Sequence, residues 1–290
     1  SPLLLRVSAG DFAVCMSQVS SRLPLLDTAK GLACAAIVAH HLAFYGPMSD
    51  IAQPLAPDLM AWLYDYARMA VQIFLVLGGY LAAASLAPEG VARFDSAGQQ
   101  VGKRFVRLVV PYVVALLVTV LVSALVRPWF DHPSVPGDPD FAQLITHALL
   151  LHSVADHESL SAGVWYVAID FQLFTLSVLG FAAVRALPQG LPRQRAAWVG
   201  QGAVVAGVAA SLWGFNRDAQ WDVWAVYFFG AYGLGMMAFW ASRAPRAAGW
   251  VVAMAVLGAV ALVLDFRGRI ALALATALLL VWAMRTPAVR

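Results

Sequence analysis

"LDTAKGLACAAIVAHHLAFYG", residues 26–46, is an apolar run of the length that crosses a bilayer, about 20 residues. It opens with Asp27 and Lys30 and carries His40 and His41 near its far end. Asp27 sits where an N-cap is expected, its carboxylate facing the free N–H groups of the first turn. Lys30 falls at the membrane boundary, where a lysine can snorkel. The histidines lie roughly 15 Å further along the helix. Adjacent helical positions point about 100° apart, so at most one of the two faces any single site. Ionisable groups inside a span mark function more often than packing, and this pair is the first candidate.

The rest of the chain fits that setting. Of 290 residues, 61% are hydrophobic and only 12% charged, more apolar surface than a soluble domain of this size buries. Apolar stretches at 29–46, 62–87, 106–126, 162–184, 197–213, 222–241, 248–265 and 269–285 predict an all-α, polytopic transmembrane helix bundle of about eight spans. "FAQLITHALLLHS" (141–153) is too short to span and is expected to lie at the interface or re-enter. Residues 1–21 have no basic stretch feeding an apolar one and are expected to be an N-terminal tail before a membrane domain at 22–290.

Charge placement gives orientation. The N-terminal segment (Arg6, Arg22, Lys30), the loops with Arg93, Lys103, Arg104 and Arg107, with Arg185, Arg193 and Arg195, with Arg243 and Arg246, and the C-terminus (Arg285, Arg290) hold 14 of the 19 basic residues. This basic-loop face is expected to be cytoplasmic, with both termini. The opposite, acidic-loop face carries Asp50, Asp58, Asp131, Asp138, Asp140, Asp156 and Glu158. A net charge of +3 follows from this asymmetry and gives no reason to expect nucleic acid. Cys15 and Cys34 make neither a disulfide framework nor a metal quartet, and no metal is expected. His132, His147, His152 and His157 read as solvated or interfacial, since the five-residue spacing in "HALLLH" does not share a helical face. Trp165, Trp213, Trp221, Trp224, Trp240 and Trp250 read as interfacial belt residues. "FFGAYGLGMM" (228–237) reads as close helix packing through small residues.

Four stretches, in order, resemble the acyltransferase-3 family of bacterial membrane acyltransferases. "LDTAKGLACAAIVAHH" is similar to its first helix, an Asp followed by a basic residue and, eleven positions on, a His; the count from Lys30, which stands where the family has Arg, falls on His41. "VQIFLVLGGYL" (71–81) resembles its second helix, with Gly78 for the usual Ser. "KRFVRLVVPY" (103–112) resembles its paired arginines, giving Arg104 and Arg107. "GVWYVAIDFQLF" (163–174) resembles its Trp, acid and Gln motif, giving Trp165, Asp170 and Gln172, with Asp for the usual Glu. These motifs cover about 25–175, and the family commonly has ten helices.

The resemblance implies a multi-pass enzyme of the bacterial inner membrane. It would move an acyl group, acetyl by default, from cytoplasmic acyl-CoA to a hydroxyl of an extracytoplasmic glycan or glycolipid. His41 would be the general base, a role suited to imidazole, with Asp170 at similar depth orienting or charge-stabilising it. Lys30, Arg104 and Arg107 would bind the donor: two arginines three apart share a helical face and can hold phosphates. Trp165, Gln172 and His40 would contact the acceptor. The alternative is a proton-coupled transporter or flippase using His41 and Asp170 as a relay.

Overall fold

The computed structural model describes residues 24–187 and 192–286; the tail expected at 1–21 lies outside them. The described residues are helical, with no strand. In chain order they form α1 (Pro24–Phe44), α2 (Met48–Ala52), α3 (Pro57–Asp65), α4 (Val71–Leu86), α5 (Ala97–Val126), α6 (Phe141–Ala148), α7 (Val164–Arg185), α8 (Arg193–Trp213), α9 (Ala225–Arg243), α10 (Ala248–Leu264) and α11 (Gly268–Arg285). Each of the eight apolar stretches becomes helix. By length and composition six helical segments can cross a membrane, and a seventh if α1 is joined to the segment Met48–Leu55, bent from it by 86°. The remaining stretch, 248–265, becomes α10 with 17 residues, about 26 Å against a hydrocarbon core of roughly 30 Å. The chain is a multi-pass membrane protein.

Local chemistry sets several ends. The Ser96 hydroxyl accepts from the Gln99 amide at 3.2 Å and starts α5; the Asp140 carboxylate accepts from the Gln143 amide at 2.7 Å and starts α6. Asp27 does not hold the N-cap expected of it. Helix α1 begins at Pro24, so Asp27 lies in the first turn, where a carboxylate still meets the positive helix end. Helices α3 and α4 form one 30-residue segment interrupted by a 3₁₀ turn at Ala67–Ala70.

The centre of the bundle is α9, buried at every residue except Val226 and Arg243. It packs on α4, α8 and α11. The approach to α4 is backbone against backbone: a Cβ on Gly79 would lie 1.7 Å from the Tyr232 carbonyl oxygen, and one on Gly235 would lie 1.9 Å from that of Val76. Only glycine permits this contact, so the small residues of 228–237 do serve helix packing. Trp240 departs from the belt reading. It is buried in the last turn of α9, its indole N–H donating to the Ala87 carbonyl at 3.1 Å, because a buried indole needs an acceptor and the end of α4 supplies one.

The histidines of the 127–161 loop also depart from expectation: His147 and His152 are fully buried. Helix α6 stops at Ala148, and Leu150, in the left-handed region at φ 59°, turns the chain back. His152 then stacks on His147 with ring centroids 4.2 Å apart. The five-residue spacing is that of a turn, and helical geometry does not apply to it. His147 bonds the Gln143 carbonyl at 2.7 Å and receives the Leu160 amide at 3.2 Å, while neither ring nitrogen of His152 has a partner among the described residues. Phe141, Ile145 and Leu149 are exposed along the other side of α6, an apolar stripe suited to an interface.

Burial, then the charges of His147 and His157, pushes the His152 pKa down to about 4. The folded value lies below the ordinary 6.5, so the unfolded loop takes up a proton that the folded loop refuses. The contribution of His152 is complete above pH 6.5 and is lost as pH falls toward 4, by about 3 kcal/mol at the limit. Limited proteolysis within 141–160 should accelerate between pH 6.5 and 4, and His152→Phe should flatten that profile. An unchanged profile in the variant would assign the sensitivity to other groups.

Candidate functional site

A cavity of about 980 Å³ opens among α1, α4, α7 and the connections that precede α9 and α11. Its α1 wall runs from Cys34 to Tyr45, about 16 Å of helix. His41 lies three residues before the end of α1. A Cβ on Gly163, the residue before α7, would stand 3.8 Å from its Nε2. Its Nδ1 is buried and has no hydrogen-bond partner among the described residues. His40, on the same cavity but turned toward α3, is used differently. It is buried, donates through Nδ1 to the Leu63 carbonyl at 3.1 Å, and packs against the rings of Phe44 and Tyr64. One histidine is thus a satisfied packing group and the other an imidazole with a free ring nitrogen.

Trp165 and Tyr166 line the cavity, Trp165 against Phe228 at 5.7 Å and Tyr166 against Phe74 at 6.0 Å. Gln172 does not line it. Its amide oxygen accepts from the Ala225 N–H at 2.9 Å and its amide nitrogen donates to the Val223 carbonyl at 3.1 Å, so it fixes the start of α9, whose first N–H groups lack helical partners.

Asp170 lies two turns into α7 beside the cavity-lining Ile169. Its carboxylate is held by Arg104 of α5, Nη2 to Oδ2 at 2.5 Å, and no bond joins it to His41. The Arg104 guanidinium also lies over the Phe174 ring at 5.2 Å. A Cβ on Gly78 would lie 4.0 Å from the other Asp170 oxygen. The three later stretches quoted from the sequence therefore meet at one point inside the bundle, through Gly78, Arg104 and Asp170. Arg107 is exposed one turn further along α5, and Lys30 stands four residues before the cavity wall on α1. Lys30, Arg104 and Arg107 are not drawn together.

Sequence reading missed the basic wall. Arg68, Arg267 and Arg269 line the same cavity as His41. Arg267 donates to the Asn216 side-chain oxygen at 2.6 Å and to the Leu212 carbonyl at 2.9 Å, and pairs with Asp265 at 3.4 Å. Burial lowers its pKa, with Arg269 and Arg217 adding repulsion against the opposing pull of Asp265. Arg269 donates to the Tyr227 hydroxyl at 2.6 Å and to the Asn216 carbonyl at 3.2 Å, lies over the Tyr227 ring at 5.0 Å, and leaves its Nε buried without a partner among the described residues. The signal for them was present: they are basic residues outside the basic-loop face.

Comparison with known proteins gives one match. The family Acyl_transf_3, described as an acyltransferase domain, matches residues 23–288. No curated protein and no solved structure matches.

Proposed function

We propose a reaction for a chain that belongs to the acyltransferase-3 family and is a multi-pass membrane acyltransferase: it moves an acyl group, acetyl by default, from cytoplasmic acyl-CoA to a sugar hydroxyl of an extracytoplasmic glycan or glycolipid. The observation that carries this reading is the free imidazole of His41 in a cavity that runs some 16 Å along α1 toward Lys30. A long thin thioester arm entering from the basic-loop face fits such a passage. The acceptor would enter from the acidic-loop face.

His41 takes the proton of the acceptor hydroxyl as its oxygen attacks the thioester carbonyl. The carbon–sulfur bond breaks, the coenzyme A thiolate leaves, and the imidazolium returns the proton to it, leaving an ester and free thiol. Trp165 and Tyr166 offer flat walls for a sugar ring. His40 holds α1 against α3 and so fixes the neighbouring His41. Arg107 and Lys30 are offered to the donor phosphates; Arg104, already paired, positions α5 against α7. No bonded link between Asp170 and His41 supports a proton relay. The bacterial inner membrane is the setting that the family and the loop charges favour.

The test is transfer of radiolabelled acetyl from acetyl-CoA to membrane glycans in cells with and without the protein. Protein-dependent, alkali-labile label on glycan is expected. Protein-dependent passage of an unmodified solute with no new ester would instead support a transporter.

A further inference from the structure

Outside the basic-loop face the chain has five basic residues, Arg68, Arg127, Arg217, Arg267 and Arg269. Arg127 is paired with Asp138 and bonded to the Pro136 carbonyl. The other four gather at one place: three line the His41 cavity, and Arg217 lies close enough for its charge to bear on Arg267. They come from segments some 200 residues apart, so only the fold collects them. Among the described residues the sole carboxylate lining the cavity is Asp222, while Asp265 is engaged by Arg267. Asn216, Tyr227 and backbone carbonyls hold the guanidiniums of Arg267 and Arg269 in fixed positions, and among the described residues Asp265 balances only Arg267. Positive charge concentrated on a low-dielectric wall is unfavourable until an anion completes it. A planar guanidinium recognises phosphate or carboxylate through paired N–H donors.

We propose that Arg68, Arg267 and Arg269 form an anion-binding subsite of the His41 cavity, which holds a phosphate or carboxylate on the acceptor sugar while a hydroxyl of that sugar faces His41. This deepens the acyl-transfer reading and rests on it for the identity of the ligand as acceptor. Arg267 is the anchored member, Arg269 has an Nε without a partner among the described residues, and Arg68, exposed and bonded among them only to the Asp65 carbonyl at 3.4 Å, closes over the ligand from the side. The substrate class is an acidic sugar: a glycan uronate or a lipid-linked sugar phosphate.

The experiment measures binding to the detergent-purified full chain by the shift in its thermal unfolding, at constant ionic strength, with glucuronate, glucose 1-phosphate, glucose and free coenzyme A as probes. Saturable stabilisation by at least one acidic sugar and none by glucose is expected. Uronate alone points to an acidic glycan, and the phosphate alone to a lipid-linked sugar. Arg68→Gln and Arg269→Lys should each weaken acidic-sugar binding about tenfold or more, the scale of one charge-assisted hydrogen bond, and leave coenzyme A binding unchanged. Arg93→Gln, on the basic-loop face, should change neither. If Arg269→Lys fails to fold, Arg68→Gln alone decides. Equal stabilisation by glucose, acidic-sugar binding indifferent to both variants, or coenzyme A binding lost with them would overturn the proposal. Arginine-dependent acidic-sugar binding in a protein that transfers no acyl group would instead refute the acyl-transfer reading and leave the subsite standing.

Discussion

Replacing His41 with Ala should lower acyl transfer by about 10²–10⁴, the range for losing a positioned general base, while the protein remains inserted and keeps its affinity for coenzyme A. The neighbouring replacement should behave in the opposite way. His40→Ala removes the bond to the Leu63 carbonyl and the packing on Phe44 and Tyr64, a loss of about 0.5–1.5 kcal/mol for the hydrogen bond plus packing, and it should reduce thermal stability more than turnover per folded molecule. Two adjacent residues with divergent effects make a sharp comparison, because insertion and expression are shared. Abolished turnover in His40→Ala with activity retained in His41→Ala would place the chemistry on the wrong side of α1.

The second large effect concerns the Arg104–Asp170 pair. Asp170→Ala leaves a guanidinium inside the bundle without its counter-ion, and removing one partner of a buried pair costs about 3–5 kcal/mol. Arg104 keeps 30% side-chain exposure against 12% for Asp170, which puts the expected loss at the lower end of that range. The double variant Arg104→Met, Asp170→Leu should recover most of the stability, since apolar pairs of similar volume often replace buried ion pairs without loss. It should also keep measurable turnover if the pair only positions α5 against α7. Had Asp170 instead served His41, the single variant would keep its stability and lose turnover, and the double variant would be inactive. Unfolding temperature and turnover of the same purified samples separate the two.

That pair also shows where the sequence stops informing. Counting along α1 and the stretch 162–184 places His41 and Asp170 at similar depth. Depth is one coordinate, and the partner of a side chain depends as well on which way each helix is rotated. The helix ends moved by two residues each: α1 closes at Phe44 and α7 opens at Val164. The two shifts are equal, so Asp170 and His41 keep the three-residue offset, about 4.5 Å, that the counting already contains; helix rotation decides the partner, and Arg104 takes the carboxylate. The spans themselves were legible because 20-residue apolar runs have few alternatives. The packing role of 228–237 was legible because small residues inside a span have little purpose other than close approach; that the partner is Gly79 of α4 was not. The burial of His152 is not legible because the helical spacing rule holds only to Ala148, and the left-handed turn at Leu150 that folds His152 back has no local signal in the sequence. Arg267 and Arg269 were passed over because nothing local links them to Arg68.

The most direct test places the two substrates on opposite sides of a bilayer. The full chain is reconstituted into liposomes, the population with its basic-loop face inward is selected, radiolabelled acetyl-CoA is enclosed, and a glycan acceptor is supplied outside. The account predicts acetyl ester on the external glycan from the wild type, with free coenzyme A retained inside, and a loss of about 10²–10⁴ in that rate with His41→Ala. Ester formed equally well by His41→Ala, or none formed by a folded wild-type protein that binds both substrates, would contradict it.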